Sequence, residues 1–242
     1  MVLSKNAIAQ ACSRFHRWPS LGAILLCLTT AACEVPPAGN PPLPAPAPAP
    51  SVSPAVPSSP DALILPGERV GPVTPNTSRA DLAAQWGEAA LTDADIAVGE
   101  GFTEAGTVVN GGTDTAFAII WVDASQSQPA IVKDFGPAWQ TPEGIHIGTS
   151  LAELQQLLGP FELYGFGWDY GGTVVLAGSN LAHYEGQLIL RLQPSSADSW
   201  QQHTAAWQAV QGDKLIASDD PNLIPLDLQI SDLIVYLTPP EE

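Results

Sequence analysis

The sequence predicts an α+β domain, and two observations support that prediction. Two short segments with the same pattern of polar and apolar residues lie 72 residues apart, at 77–87 and 149–159. Each is followed by stretches rich in β-branched and aromatic residues, separated by glycines. A helix followed by a run of short strands is typical of an α+β fold with an antiparallel sheet. We therefore predict two tandem repeats of a short helix followed by an antiparallel β-meander.

The repeated segment is predicted to be a helix because both of its ends have helix signals. A serine that can cap the first free amides is followed three residues later by an acid, as in a capping box. A glycine with a left-handed backbone then ends each helix. The first copy has Ser78, Asp81 and Gly87, and the second has Ser150, Glu153 and Gly159. Because a helix this short is marginal alone, it must pack on the strands that follow.

The strands are predicted from runs of β-branched and aromatic residues. Alternation is clearest in 187–193 (QLILRLQ), where leucines occupy every second position, as in a strand with one buried face. Glycine pairs at 110–112 and 170–172 predict hairpin turns. A further helix is predicted over 199–212 and a closing strand over 233–237. The remaining predicted strands are 107–109, 115–122, 130–132, 161–168 and 173–176.

Charge and cysteine content exclude several classes of protein. From residue 34 onward, 25 acidic residues accompany only five basic ones, which argues against nucleic-acid binding. The three cysteines, Cys12, Cys27 and Cys33, all lie in the first 33 residues. A core held together by disulfides is therefore excluded.

The N-terminus has the layout of a secretory signal. Residues 1–17 include three basic residues and no acid, and residues 21–32 (LGAILLCLTTAA) form an apolar run of 12 residues. This run is too short for a permanent membrane span, which needs about 20 residues. We predict a signal peptide over residues 1–32.

The residues at the end of the apolar run resemble the lipobox of bacterial lipoproteins. Ala31 and Ala32 precede Cys33, while Thr30 stands where the lipobox usually has leucine. The resemblance implies that Cys33 is lipidated and holds the protein on a membrane, at the periplasmic or extracellular side of the cell envelope, because several acyl chains anchor stably. The alternative is an ordinary signal cleaved after Ala32 that leaves Cys33 free.

Residues 33–60 are predicted to be a spacer between the anchor and the domain. Eleven prolines lie between residues 36 and 60, so this stretch joins neither helix nor sheet. A ligand for a proline-binding domain is the alternative interpretation. The globular domain then occupies residues 61–242, with halves of about 61–136 and 137–242.

Residues 144–154 (GIHIGTSLAEL) resemble the start of the helix-plus-sheet repeats of β-lactamase-inhibitor-like and outer-membrane-assembly lipoprotein folds. Residues 165–172 (GFGWDYGG) are similar to part of an uncharacterised family of secreted bacterial domains. These resemblances imply a helix-plus-sheet architecture and a protein-binding role, and they imply no catalysed reaction.

Motifs for catalysis or cofactor binding are not evident. The glycines at 99–101 and 165–167 lack the spacing of a phosphate loop and are interpreted as turns. The histidines and cysteines have no metal-ligand spacing, so no cofactor or metal is predicted. Asp93 and Asp95, and a second group around Asp213, Asp219 and Asp220, are interpreted as solvated loop acids, with a calcium site as the alternative.

The candidate ligand-binding residues are aromatic and acidic. Phe166, Trp168 and Tyr170 alternate with glycines and Asp169, so a strand would place the three rings on one face. That face is interpreted either as core or as a flat platform for a sugar or a peptide side chain. Glu100 and Glu104, with Asp169, are candidate carboxylates for a glycan hydrolase.

We therefore predict a non-enzymatic, lipid-anchored envelope protein that binds another envelope protein or a cell-wall component. An envelope glycan hydrolase and a calcium-dependent binding module are the alternatives.

Overall fold

The structure is a computed structural model and describes residues 61–238. The predicted signal peptide, Cys33 and the proline-rich spacer lie outside the described residues. Within residues 61–238 every helix is too short or too polar to cross a membrane.

The first half of the domain contains one α-helix and six strands. A small hairpin precedes the helix, and four longer strands follow it, consecutive in sequence. The elements are β1 (Ile64–Leu65), β2 (Arg69–Val70), α1 (Arg79–Trp86), β3 (Leu91–Gly99), β4 (Phe102–Val109), β5 (Phe117–Trp121) and β6 (Pro129–Lys133).

The second half again begins with a helix and continues into strands, but it has an insertion before its last strand. The elements are α2 (Leu151–Leu158), β7 (Glu162–Tyr164), β8 (Val174–Val175), β9 (Leu188–Pro194), α3 (Ala197–Gln202), α4 (Thr204–Ala209), β10 (Leu215–Ala217) and β11 (Leu228–Tyr236).

The predicted α+β class is confirmed, with antiparallel pairing in all three sheets. The main sheet has the strand order β3-β4-β5-β6-β11-β9, and a smaller sheet has the order β10-β7-β8. A bridge between Thr173 and Arg191 connects the smaller sheet to β9. The two halves meet where β6 pairs with β11, with Val132 opposite Val235.

Both predicted helices are present, and both have the predicted capping box. The Ser78 side chain accepts from the Asp81 amide while the Asp81 carboxylate accepts from the Ser78 amide, and Ser150 and Glu153 do the same. Each serine hydroxyl also donates to the same carboxylate, and accepting the hydroxyl and amide bonds lowers the pKa of both carboxyl groups. Gly87 and Gly159 end the helices with positive φ but with ψ of 145° and −155°, outside the left-handed helical region that we predicted.

The first strand of the main sheet, β3, is absent from the sequence prediction. Asp93 and Asp95, interpreted as loop acids, lie on it, and this interpretation is wrong. Arg79 pairs with Asp93 and with Glu88 across the start of the strand. The guanidinium holds the pKa of both carboxyl groups below their usual values. The residues of β3 are mostly acidic and exposed and have low β-propensity, so the sequence does not predict a strand here. The strand forms because β3 pairs with β4 and because Arg79 binds Asp93.

The second half also differs from the prediction in two places. Instead of one helix over 199–212, two helices of one to two turns are separated at His203, whose φ of −121° and ψ of 44° are not helical. The strand predicted over 161–168 ends at Tyr164. Both differences arise where aromatic side chains pack into the core, since tertiary contacts override local periodicity.

The main sheet has two different faces. Its first face packs against α1, α2 and the inserted segment and forms the core, which includes Leu188, Leu190 and Leu192 of β9 as predicted. The second face bears a separate small cluster of Ile96, Ala118 and Ile120. Because alternate residues of a strand point to opposite faces, the residues between the core leucines face this second side.

Candidate functional site

The hairpin of β3 and β4 extends beyond the sheet. β5 pairs with β4 only from Gly106 to Val109, so residues 95–105, which we call the arm, pair only with each other. The tip turns at Glu100 and Gly101, which have φ of 52° and 76°. Positive φ at both central residues is typical of the type I′ turn of a two-residue hairpin. The predicted turn at 99–101 is therefore confirmed.

The arm crosses the second face of the sheet. Ile96 of the arm is 5% exposed and packs on Ala118 and Ile120. It crosses directly over Gly106, where an added Cβ would lie 2.5 Å from Cγ1 of Ile96. Glycine at this position therefore allows the arm to lie against the sheet.

Two hydrogen bonds hold the arm in this position. The Lys133 ammonium on β6 donates to the carbonyl oxygen of Ala97 at 2.7 Å. At the tip, the backbone amide of Glu100 donates to Oδ2 of Asp169 at 2.6 Å. The second bond joins residues 69 positions apart, so it brings two of the predicted site residues together.

A cavity of about 630 Å³ lies between the arm, the second face of the sheet and the loop that joins β7 to β8. We call residues 165–173 the aromatic loop. Four isoleucines from β5, β6, β11 and β9 of the main sheet line the base of the cavity: Ile120, Ile131, Ile234 and Ile189. The volume is within the range of about 300–1,000 Å³ that is usual for small-molecule sites.

Aromatic side chains line the side of the cavity opposite the arm. Trp168 packs edge-on against Tyr164 at 5.9 Å and against Tyr170 at 5.3 Å, with interplanar angles of 85° and 72°. The indole nitrogen of Trp168 donates to the carbonyl oxygen of Gly165 at 2.7 Å, which fixes the orientation of the ring. Edge-to-face packing of this kind stabilises a rigid aromatic group.

Charged groups lie at both sides of the cavity. The Arg191 guanidinium is 5.6 Å from the ring centroid of Tyr170, and its Nε donates to the hydroxyl of Thr173 at 3.2 Å. Burial raises the pKa of the Tyr170 phenol, and the neighbouring carboxylate of Glu100 raises it further. Both effects favour the neutral form of the phenol, which an unshifted tyrosine already has at physiological pH.

The structure brings four of the six predicted ligand-binding residues to this site and separates the other two. Trp168 and Tyr170 line the cavity, while Asp169 and Glu100 meet at its rim. Phe166 is 1% exposed and belongs to the core. Glu104 lies on the arm, exposed to solvent, and does not line the cavity.

The predicted arrangement of the aromatic residues is wrong. The chain leaves the strand after Tyr164, so Phe166 points into the core against Trp207 at 5.2 Å while Trp168 and Tyr170 face the cavity. The rings of Trp168 and Tyr170 are also steeply inclined to each other and form no flat platform. The loop bends because Gly167 adopts φ of 88°, which breaks the alternation of a strand.

Sequence reasoning missed the residues that the main sheet contributes to the cavity. Lys133, Arg191 and the four isoleucines lie on strands that we predicted, at least in part, but we interpreted only the leucine face of β9. In 187–193 the other set of alternating residues contains Ile189 and Arg191. An arginine on the outer face of a strand between two core leucines was a usable signal.

The acidic clusters proposed as calcium sites do not assemble. Within residues 61–238, no three side chains of His, Cys, Asp or Glu lie close enough together to hold a metal ion. Asp220 instead accepts hydrogen bonds from the amide and side chain of Asn222, and Asp213 lies at the cavity.

Comparisons with known proteins identify no family for this chain. No protein-family model matches it, and no curated protein matches it. A solved structure that is similar is the crystal structure of the uncharacterized protein yfeY from Escherichia coli, with 16% sequence identity and a TM-score of 0.38. The match covers 71% of this chain and 95% of that chain. A likeness of this size supports no conclusion about fold or function.

Proposed function

We propose that this protein is a lipid-anchored, non-enzymatic binding module of the cell envelope that takes its ligand into the cavity beneath the arm. The observation that supports the proposal is the cavity itself, whose apolar base and aromatic side are joined by a small number of polar groups. This combination is the usual composition of a binding site.

The glycan hydrolase alternative has less support. A glycosidase needs two free carboxyl groups on either side of the scissile bond. At this cavity the Asp169 carboxylate accepts the backbone amide of Glu100, and Glu104 is directed elsewhere. Among the described residues that line the cavity, Asp213 is the only acid, so the lining offers no pair of facing acids.

The anchor is tested by expressing the full chain with its own leader in a bacterium that processes lipoproteins. We expect the protein in the membrane fraction, with an N-terminal peptide that begins at acylated Cys33. Cys33→Ser should move it to the soluble fraction, because the acceptor thiol is lost. Cys27→Ser is the matched control and should remain in the membrane. An intact methionine start, or an unmodified Cys33, would refute the anchor.

Ligand binding is tested with a variant that fills the cavity. Ile131→Trp places an indole at the base of the cavity, whereas Val122→Trp adds the same group at an exposed loop position. Each variant, in a full chain carrying Cys33→Ser so that no detergent is needed, is incubated with envelope extract and repurified. Bound molecules are then identified by mass spectrometry.

We expect the parent chain and Val122→Trp to retain the same molecule and Ile131→Trp to lose it, with similar melting temperatures for all three. If all three chains retain the same molecules, or none retains any, the cavity is not the binding site.

A further inference from the structure

Arg191 differs from the other basic residues of the domain. Within residues 61–238, three of the five basic residues form ion pairs: Arg69 with Asp61, Arg79 with Glu88 and Asp93, and Lys133 with Asp134. Lys214 is exposed and donates to a backbone carbonyl. Arg191 has no ion pair among the described residues, although acids outnumber bases fivefold beyond Cys33. It is also half-buried at the cavity.

The Arg191 guanidinium is held in place through its Nε, and its remaining N–H donors are unused among the described residues. Its Nε donates to Thr173, and Tyr170 lies against it. A guanidinium has five N–H donors, and those on its two terminal nitrogens have no acceptor among residues 61–238. A planar group with fixed, unused donors matches a carboxylate or phosphate through two parallel hydrogen bonds.

Most of the other lining residues are suited to an apolar group, and Asp213 is the only acid among them. Asp232 of β11 lies opposite Arg191 without forming an ion pair with it, and the next cross-strand pair on the second face is Ile189 with Ile234. The branched aliphatic side chains of these two isoleucines bind by burial of area and not by ring stacking. The aromatic rings meet edge to face, so they form no common flat platform on which a sugar ring could stack across them. The lining therefore suits a ligand that has both an apolar body and an oxyanion.

We propose that the cavity binds a small anionic amphiphile, with its carboxylate or phosphate on Arg191 and its apolar body over the isoleucines. This inference rests on the proposed function, since it names the ligand class of the same cavity. Lys133, which is already bonded to Ala97 and close to Asp134, adds positive charge at the arm side of the cavity.

The test is calorimetric titration of the full chain carrying Cys33→Ser with four probes that share an octyl chain. Octanoate and octyl phosphate carry the two candidate head groups, octanol is neutral and octylamine is cationic. We expect at least one anion to bind at least about tenfold more tightly than octanol, because a hydrogen bond to a charged group contributes about 1.5–3 kcal/mol. The better anion identifies the head group.

Arg191→Gln should weaken binding of that anion by about 10- to 100-fold and leave octanol unchanged, with an unaltered melting temperature. Arg191→Lys should restore part of the affinity, since a charge without the planar fork remains. The matched control is Arg69→Gln, which removes the same charge from a surface ion pair and should change the affinity less than about twofold.

The inference is overturned if octanol or octylamine binds as tightly as both anions, or if Arg69→Gln and Arg191→Gln reduce affinity equally. Absence of binding by every probe also overturns it. The envelope-extract experiment then decides the proposed function separately. If the parent chain retains a molecule that Ile131→Trp loses, the cavity still binds a ligand, but one of a different chemical class.

Discussion

Replacing Phe166 by alanine is expected to lower the free energy of unfolding by about 3–5 kcal/mol, the usual range for a Phe→Ala change in a core. Phe166 is 1% exposed and packs against Trp207, so truncation leaves a cavity between the aromatic loop and the inserted helices. Urea denaturation followed by circular dichroism measures the change. The matched control is Phe102→Ala at the arm tip, where the ring is 66% exposed and the loss should not exceed about 0.5 kcal/mol.

Trp168→Ala, two residues further on, should behave differently from Phe166→Ala. Because Trp168 is half-buried at the cavity, we expect a loss of about 1 kcal/mol together with reduced ligand binding. If both variants lose stability equally, Trp168 is a core residue and the aromatic side of the cavity is not a binding surface.

Replacing Gly172 by alanine is the second change with a large expected effect, a loss of about 3 kcal/mol or more in unfolding free energy. Gly172 connects the aromatic loop to both neighbouring strands, since its amide donates to Tyr164 and its carbonyl accepts from Leu192. Its φ is +79°, and an added Cβ would overlap the carbonyl oxygen of Leu192. To relieve this overlap the loop must move away from β9, which also removes Tyr170 from Arg191.

A matched change at Gly178 separates the two causes of the loss at Gly172, which are backbone strain at positive φ and the close approach to Leu192. Gly178 has the same φ of +79°, but nothing lies within 4 Å of an added Cβ. Gly178→Ala therefore measures the backbone strain alone, about 1–2 kcal/mol. Equal losses at the two glycines would show that the close approach to Leu192 is unimportant. A larger loss at Gly172, accompanied by weaker anion binding, is the expected result in paired denaturation and titration experiments.

Much of the fold could be predicted because its signals are local. The capping boxes at Ser78 and Ser150 depend on residues three positions apart, and the alternation in β9 depends on its own pattern of leucines. β3 could not be predicted in this way. Its stability depends on pairing with β4 and on Arg79, which lies 14 residues before Asp93.

The candidate site was less accessible from sequence than the fold. Trp168, Asp169 and Glu100 were identified by residue type, but their arrangement depends on the path of the arm over Gly106 and on the positive φ of Gly167. Arg191 was missed because only the leucine face of β9 was interpreted, and a single arginine on the other face matches no catalytic or binding motif. Its significance depends on the absence of an ion pair to it among the described residues, although Asp232 lies on the neighbouring strand, and only the tertiary structure reveals this.

The position of β11 affects how the chain folds. This last strand lies in the interior of the sheet, between β6 of the first half and β9 of the second. Until residues 228–236 have left the ribosome, the edge of β6 is unpaired and the two halves share no strand pairing in the main sheet. Contacts so distant in sequence form slowly. The nascent chain therefore passes through a stage in which an unpaired strand edge can associate with other chains, so protection by chaperones is most important until β11 has been added to the sheet.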